Sequence, residues 1–235
     1  MHAGQPSPKS PAQGTRLVLG IDTCGPSGSV ALGRLSGEEI EILGQIDLEG
    51  RSYSSTLVAA VGDLLTRAGV RLADMSGIVA VNGPGSFTGV RVGLAAVKGL
   101  AESVRIPVVA VSRLEVLSAT AGVSSAALDA HRHEVFLRLE AAGEQARELL
   151  AGANELAEVD SPPAQIAFCD EAAGVVVAAA WPATELVRAA APTAADALRL
   201  CAPRAVGGDF ADLVLLDGHY LRRSDAEIFG GAERA

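Results

Sequence analysis

At 235 residues, 49% of them apolar, the chain has material for one large domain or two of ordinary size. Its formal net charge of −9 argues against an unaided grip on nucleic acid, which needs clustered basic side chains, and Lys9 and Lys98 are its only lysines. Three scattered cysteines, Cys24, Cys169 and Cys201, suggest neither a disulfide framework nor a zinc cluster and fit a reducing compartment.

Residues 1–14 are rich in Pro, Ser and Gln, have no hydrophobic segment, and read as a disordered tail rather than a signal peptide. Leu17–Ile21 is a continuous apolar run ending in Asp22, as in a strand buried on both faces. Cys24–Gly28 has turn chemistry and Ser29–Leu32 starts a second strand, so a hairpin is expected. Ile40, Ile42, Ile46 and Leu48 then alternate with Glu39, Glu41, Gln45 and Asp47, predicting a strand with one apolar face and one wet face. From Ser54 to Ala68 the apolar positions fall at helical spacing, and Gly69 supplies a stop. Ile78–Val81 is another buried strand, Val90–Ser103 a second helix, Val108–Val111 a third buried strand, and Ser112 a cap for a further helix. Near-continuous apolar strands linked through helices imply parallel neighbours with right-handed crossovers.

A second unit begins near Ser124. Ala126–Leu128 ends in Asp129, a polar turn follows, and Val135, Leu137 and Leu139 alternate as a returning strand, repeating the opening scheme. Beyond Gly143 the pattern weakens: Ile166–Cys169 and Val214–Leu216 are expected as short strands, and Thr193 as the cap of a helix reaching Cys201. Residues 15–121 and 122–235 are the expected lobes, with a return of the C-terminal segment to the first lobe left open. The longest apolar stretch, Ala172–Trp181, is about half of what a membrane span requires, so no membrane role and a cytoplasmic location are expected.

The segment from Asn82 to Leu100 carries the sharpest signal. Gly83, Gly85 and Gly89 are spaced G-x-G-x-x-x-G between a buried strand and a helix, one residue longer than the dinucleotide fingerprint. No Gly-Lys-Ser/Thr follows, so it is not a phosphate-binding P-loop either. One interpretation is an anion or nucleotide site at a helix N-terminus, using Gly85, Ser86, Thr88 and Gly89 with Arg91 and Asp22 nearby. The other is close packing. Gly89, Gly93 and Ala96, and one register over Ala95 and Gly99, keep a helix face nearly bare, with Leu94, Val97 and Leu100 beside it. That face would meet either another helix or the chain's own sheet.

Gly20-Ile-Asp-Thr23, Gly83-Pro-Gly-Ser-Phe-Thr-Gly-Val-Arg91, Leu128-Asp-Ala130 with Glu134-Val135, and Tyr220-Leu-Arg222 together resemble the TsaB (YeaZ) family. That family is a branch of the actin-like ATPase superfamily. The resemblance implies an α/β, duplicated actin-like (RNase H-like) fold with two lobes, each a mixed sheet flanked by helices. It implies a non-catalytic subunit in the formation of threonylcarbamoyladenosine on tRNA, with a TsaD-like catalytic partner and a TsaE-like ATPase. ATP and a metal ion would then be used by those partners rather than by this chain, tRNA would be met only through the complex, and a lone chain would form a homodimer. Because the family's subunit contact uses the first two helices, the implied interface is Tyr53, Leu57, Ala60, Val61 and Leu64 with Arg91, Gly93, Leu94, Ala96 and Val97. Arg51-Ser-Tyr-Ser54 stands where family members often carry His-Ser, so Tyr53 would take the histidine's place.

The residues also bear on the alternatives. An autonomous actin-like ATP-dependent phosphotransferase would need two Asp-bearing hairpins with small turns. The second hairpin, Asp129-Ala-His-Arg-His133, has no glycine where a phosphate would approach. His131 and His133 lack a third metal ligand nearby in sequence, and H-x-x-x-H occurs nowhere, so exposed loop histidines are expected. Ser86 does not sit in G-x-S-x-G, which leaves a peptidase without a nucleophile motif.

Overall fold

The computed structural model describes residues 16–140 and 145–222, and the tail expected over residues 1–14 lies outside them. The first half runs β1 (Arg16–Asp22), β2 (Ser27–Ser36), β3 (Glu39–Glu49), α1 (Tyr53–Ala68), β4 (Met75–Val81), α2 (Phe87–Val104), β5 (Val108–Val111) and α3 (Arg113–Ala121). The second half runs β6 (Ala126–Asp129), β7 (Val135–Leu139), β8 (Arg147–Ala151), α4 (Ala153–Ala157), β9 (Gln165–Phe168), α5 (Glu171–Ala180), β10 (Glu185–Arg188) and α6 (Ala194–Gly207).

The two sheets have the same order, β3-β2-β1-β4-β5 and β8-β7-β6-β9-β10. In both, the three leading strands form an antiparallel meander and the last two add in parallel. The fold is therefore a duplicated mixed α/β fold, strand for strand and helix for helix.

The third helices depart from a simple division at residue 122. Leu114 and Leu117 of α3 pack with Ala126, Leu128 and Ala167 of the second lobe. Ala194, Leu198 and Cys201 of α6 lie in the core of the first. Burying Leu198 fully is worth about 2 kcal/mol, and α6 buries five alanines as well. Periodicity shows that such a helix has an apolar face, not which sheet that face will cover.

Strand β3 corrects the expected alternation. Its pairing with β2 slips between Leu32 and Gly33, opposite Gly44 and Ile42, leaving Leu43 as a bulge. Ile46 and Leu48 pair with Val30 and Gly28, on the face where Gly28 meets Tyr53 of α1. Ile40 and Ile42 pair with Leu35 and Gly33, on the face where Gly33 meets Leu198 of α6. The four apolar residues thus split between two helical layers, because one extra residue inverts the side-chain phase.

Val214–Leu216 is a turn rather than a strand: Val214 and Leu215 are exposed and only Leu216 reaches the core. The Ala172–Trp181 run folds mostly as α5, started by Asp170, whose side chain accepts a hydrogen bond from the Ala173 N–H (2.7 Å). Among the described residues no helix is long and apolar enough to cross a membrane.

Candidate functional site

Strand β1 ends at Asp22, fully buried beneath the hairpin turn whose Cys24, Gly25 and Pro26 line the cleft between the lobes. The Cys24 N–H donates to Asp22 Oδ1 (2.8 Å), folding the first hairpin over its own carboxylate. Tyr53, at the start of α1, donates its hydroxyl to the Gly25 carbonyl (2.8 Å) and holds the tip of that turn. Burial raises the Asp22 carboxyl above the ordinary range, and the Arg113 guanidinium and the Cys24 N–H pull it partly back. Burial and the nearby Asp22 carboxylate also push the Cys24 thiol well up, so it is no ready nucleophile.

The glycine loop fits against this hairpin. The Ser86 N–H donates to the Cys24 carbonyl (2.7 Å), and the Thr23 hydroxyl donates to the Gly89 carbonyl (2.7 Å). A Cβ at Gly85, Gly89 or Gly93 would collide with Cys24 or Thr23, and Gly85 sits at φ +158. The small residues therefore admit the chain's own hairpin. Ser86 caps α2, accepting from the Gly89 N–H (3.2 Å), while the Val90 N–H donates to the Ser86 carbonyl. The N–H groups of Gly89 and Val90, at the start of α2 where an anion would sit, are thus used internally. Of the predicted anion residues, Asp22 and Gly89 are buried, Gly85 is half-buried, and Ser86 and Thr88 are exposed.

The implied interface residues are placed differently from expectation. Tyr53, Leu57, Ala60, Val61 and Leu64 are buried in the first core, as are Leu94 and Val97, and Gly93 is pressed on Thr23. Ala96 is half-buried, and Arg91 is the one exposed member of the set. Apolar spacing selected the inward faces of both helices. The outward faces carry Ser55, Val58, Ala59 and Gly62 on α1, and Thr88, Arg91, Ala95 and Gly99 on α2. Val58 is 63% exposed, and a Cβ at Gly62 or Gly99 would meet nothing within 4 Å. The two helices pack against each other, and apart from Val58, Thr88 and Arg91 these outward side chains are small.

The C-terminal segment ties the lobes together over the cleft. The His219 N–H donates to the Asn82 carbonyl (2.7 Å), and Tyr220 stacks at a tilt on Phe87, 5.1 Å between centroids. Arg91 lies 3.6 Å above the Phe87 ring. Arg222 donates to the Ala130 carbonyl (2.7 Å) and pairs with Glu134. Glu148 of β8 accepts from the Ser112 hydroxyl (2.6 Å) and from Arg138 (3.0 Å), with His219 Nε2 at 2.8 Å. Burial alone would raise its carboxyl, but the bonds from His219, Ser112 and Arg138 outweigh this and hold it below the ordinary range.

Between the lobes is a cleft of about 990 Å³, lined by Arg113, Asp129, Arg132, Asp170, Phe87 and Tyr220 among others. Arg113 escaped the sequence reading because an arginine at the first turn of a helix looks like solvent-facing charge. It is instead 5% exposed and 3.6 Å from Asp22. His131 is exposed and pairs with Asp129 (2.9 Å). Among the described residues no cluster of three or more metal-ligating side chains forms.

Residues 47–167 match the family model described as TsaD: tRNA N6-adenosine threonylcarbamoyltransferase. The chain is 38% identical over 126 residues to the Bacillus subtilis tRNA threonylcarbamoyladenosine biosynthesis protein TsaB, covering 52% of this chain and 54% of that protein. It is 32% identical over 149 residues to the uncharacterized Mycobacterium tuberculosis protein Rv3421c, covering 63% of this chain and 69% of the other. The solved structure of YeaZ from Pseudomonas aeruginosa superposes with a TM-score of 0.68 at 27% identity, over 88% of this chain and all of that one. The matched stretch spans about half the length of the TsaB proteins of Bacillus subtilis and Escherichia coli.

Proposed function

Because this chain belongs to the TsaB (YeaZ) family, we propose that it is a non-catalytic subunit in the formation of threonylcarbamoyladenosine on tRNA. In this proposal it docks a TsaD-like threonylcarbamoyltransferase through the outward faces of α1 and α2 and activates it by fixing its orientation. The observation that carries the docking is the bare surface of Ser55, Ala59, Gly62, Ala95 and Gly99, where a second helical pair can come close. The match to the TsaD model over residues 47–167 supports a partner of related fold, since this segment includes α1 and α2. A surface that accepts a related fold can also accept a second copy, so a homodimer of the isolated chain follows from the same face. ATP, metal ion and tRNA contact then fall to the TsaD-like and TsaE-like partners in the cytoplasm, which suits a chain of net charge −9.

The test is co-purification with the TsaD-like partner. Gly62→Arg and Gly99→Arg place a long side chain on the open face while favouring the helix by about 1 kcal/mol, so the variants should stay folded. Loss of a stoichiometric complex in both is expected. Retention in both would move the contact elsewhere, and failure of the wild type to bind would remove the scaffold role. An autonomous phosphotransferase remains the alternative, and it requires ATP turnover by the isolated chain that Asp22→Asn abolishes.

A further inference from the structure

The cleft carries a charge pattern that partner docking does not explain. Arg113 opens α3 with its backbone N–H donating to the Gly83 carbonyl (2.6 Å), and its side chain runs through the protein to the cleft wall. Its Nε faces Asp22 Oδ2 at 3.6 Å, a buried ion pair too long for a hydrogen bond, and neither atom has another partner. A Cβ at Gly25 would collide with the guanidinium, so the glycine of the first hairpin leaves Arg113 its passage. A buried guanidinium with an unfilled donor is costly in a protein that gains nothing from it.

The second lobe answers with Arg132. It sits at φ +57 between His131 and His133, both also at positive φ, on a turn whose Ala130 carbonyl accepts a hydrogen bond from Arg222. Three successive non-glycine residues in the left-handed region cost on the order of 1 kcal/mol each, and the turn holds Arg132 at the cleft, exposed. The carboxylates on that side are already engaged. Asp129 accepts from the His131 N–H (2.8 Å), and Asp170 accepts from the N–H groups of Ala173 (2.7 Å) and Asp129 (3.1 Å). The N-terminus of α2, an 18-residue helix, opens on the same space at Ser86 and Phe87.

We propose that the cleft binds an oxyanion, a phosphate or a carboxylate, between Arg113 and Arg132 and without a metal ion. Guanidinium forks here do what glycine backbone does in a phosphate-cradling hairpin, and a planar fork suits either anion. With about 990 Å³ available, the anion can belong to an organic molecule rather than a bare ion. Burial raises the Asp22 carboxyl above the ordinary range, a shift the Arg113 guanidinium only partly offsets, so Asp22 holds its charge less firmly than an exposed aspartate would.

The test is isothermal titration of the full chain with inorganic phosphate and, separately, with acetate, in chelator-containing buffer free of chloride. Saturable binding of at least one is expected, and which one binds assigns the class. Arg132→Ala should weaken it about fivefold or more, and Arg113→Met with Asp22→Asn should remove it. Absence of saturable binding to wild type, unchanged affinity in Arg132→Ala, or a requirement for added Mg²⁺ would overturn the proposal. Should the double variant not fold, Arg132→Ala decides alone, since that side chain is exposed. Docking of a partner on α1 and α2 stands or falls separately.

Discussion

His219 Nε2 lies 2.8 Å from the Glu148 carboxylate, so the chain that leaves α6 is fastened to the third strand of the other lobe. Glu148 also accepts from Ser112, the cap of α3, and from Arg138 of β7. One carboxylate thereby links the end of the first lobe, the second sheet and the C-terminal segment over the cleft.

That junction should make stability depend on pH with a definite sign. The Glu148 carboxyl is held below its ordinary value in the folded protein, so the folded state binds its proton less readily than the unfolded chain. Its contribution is present above the unfolded value near 4.5 and is lost as pH falls through the lower folded value. Glu148→Gln should cost about 2 kcal/mol near pH 7, the scale of hydrogen bonds to a charged group. Urea unfolding of both proteins at neutral and acidic pH checks this: the gap should narrow on acidification, and a constant gap would mean that charge is not its origin.

Tyr53 separates a structural role from a docking role. Its ring is buried and its hydroxyl donates to the Gly25 carbonyl, so Tyr53→Phe removes one hydrogen bond and leaves that carbonyl short of a partner. A loss of about 1 kcal/mol is expected by denaturant unfolding, with binding of a TsaD-like partner unchanged. Unchanged stability with weakened binding would return Tyr53 to the interface.

Much of the fold was legible because each signal was local. Asp22 and Asp129 end matching apolar runs, Gly69 stops α1 at φ +67, and Ser112 and Thr193 cap the helices they precede. What escaped was long-range. A bulge at Leu43 is invisible to a parity count, and no pattern within α3 or α6 says that each covers the other half's sheet. The candidate site suffered from the same limit. Leu57, Val61 and Leu64 are apolar and periodic, which identifies a face that seeks burial, and the chain's own sheet satisfied it first. The exposed face is marked by small residues instead, and of these the spacing within α2 singles out Ala95 and Gly99. Arg113 and Asp22 are 91 positions apart by number and share no motif, so their pairing could be found only in three dimensions.

The glycines of α2 offer the sharpest discrimination between packing and docking, because two of them in one helix should respond with opposite signs. Gly93 faces Thr23, and a methyl group there would overlap the hydroxyl that donates to Gly89. Gly99 faces open space. Gly93→Ala should therefore destabilise the protein by about 1–3 kcal/mol through overpacking. Gly99→Ala should stabilise it by up to about 1 kcal/mol, since alanine is the better helix former and nothing is displaced. Thermal unfolding of the isolated variants measures both. If Gly99→Ala is stabilising alone yet weakens a complex with the partner, helices meet at this glycine. If it is stabilising and binding is untouched, the partner keeps at least a methyl's distance from Gly99.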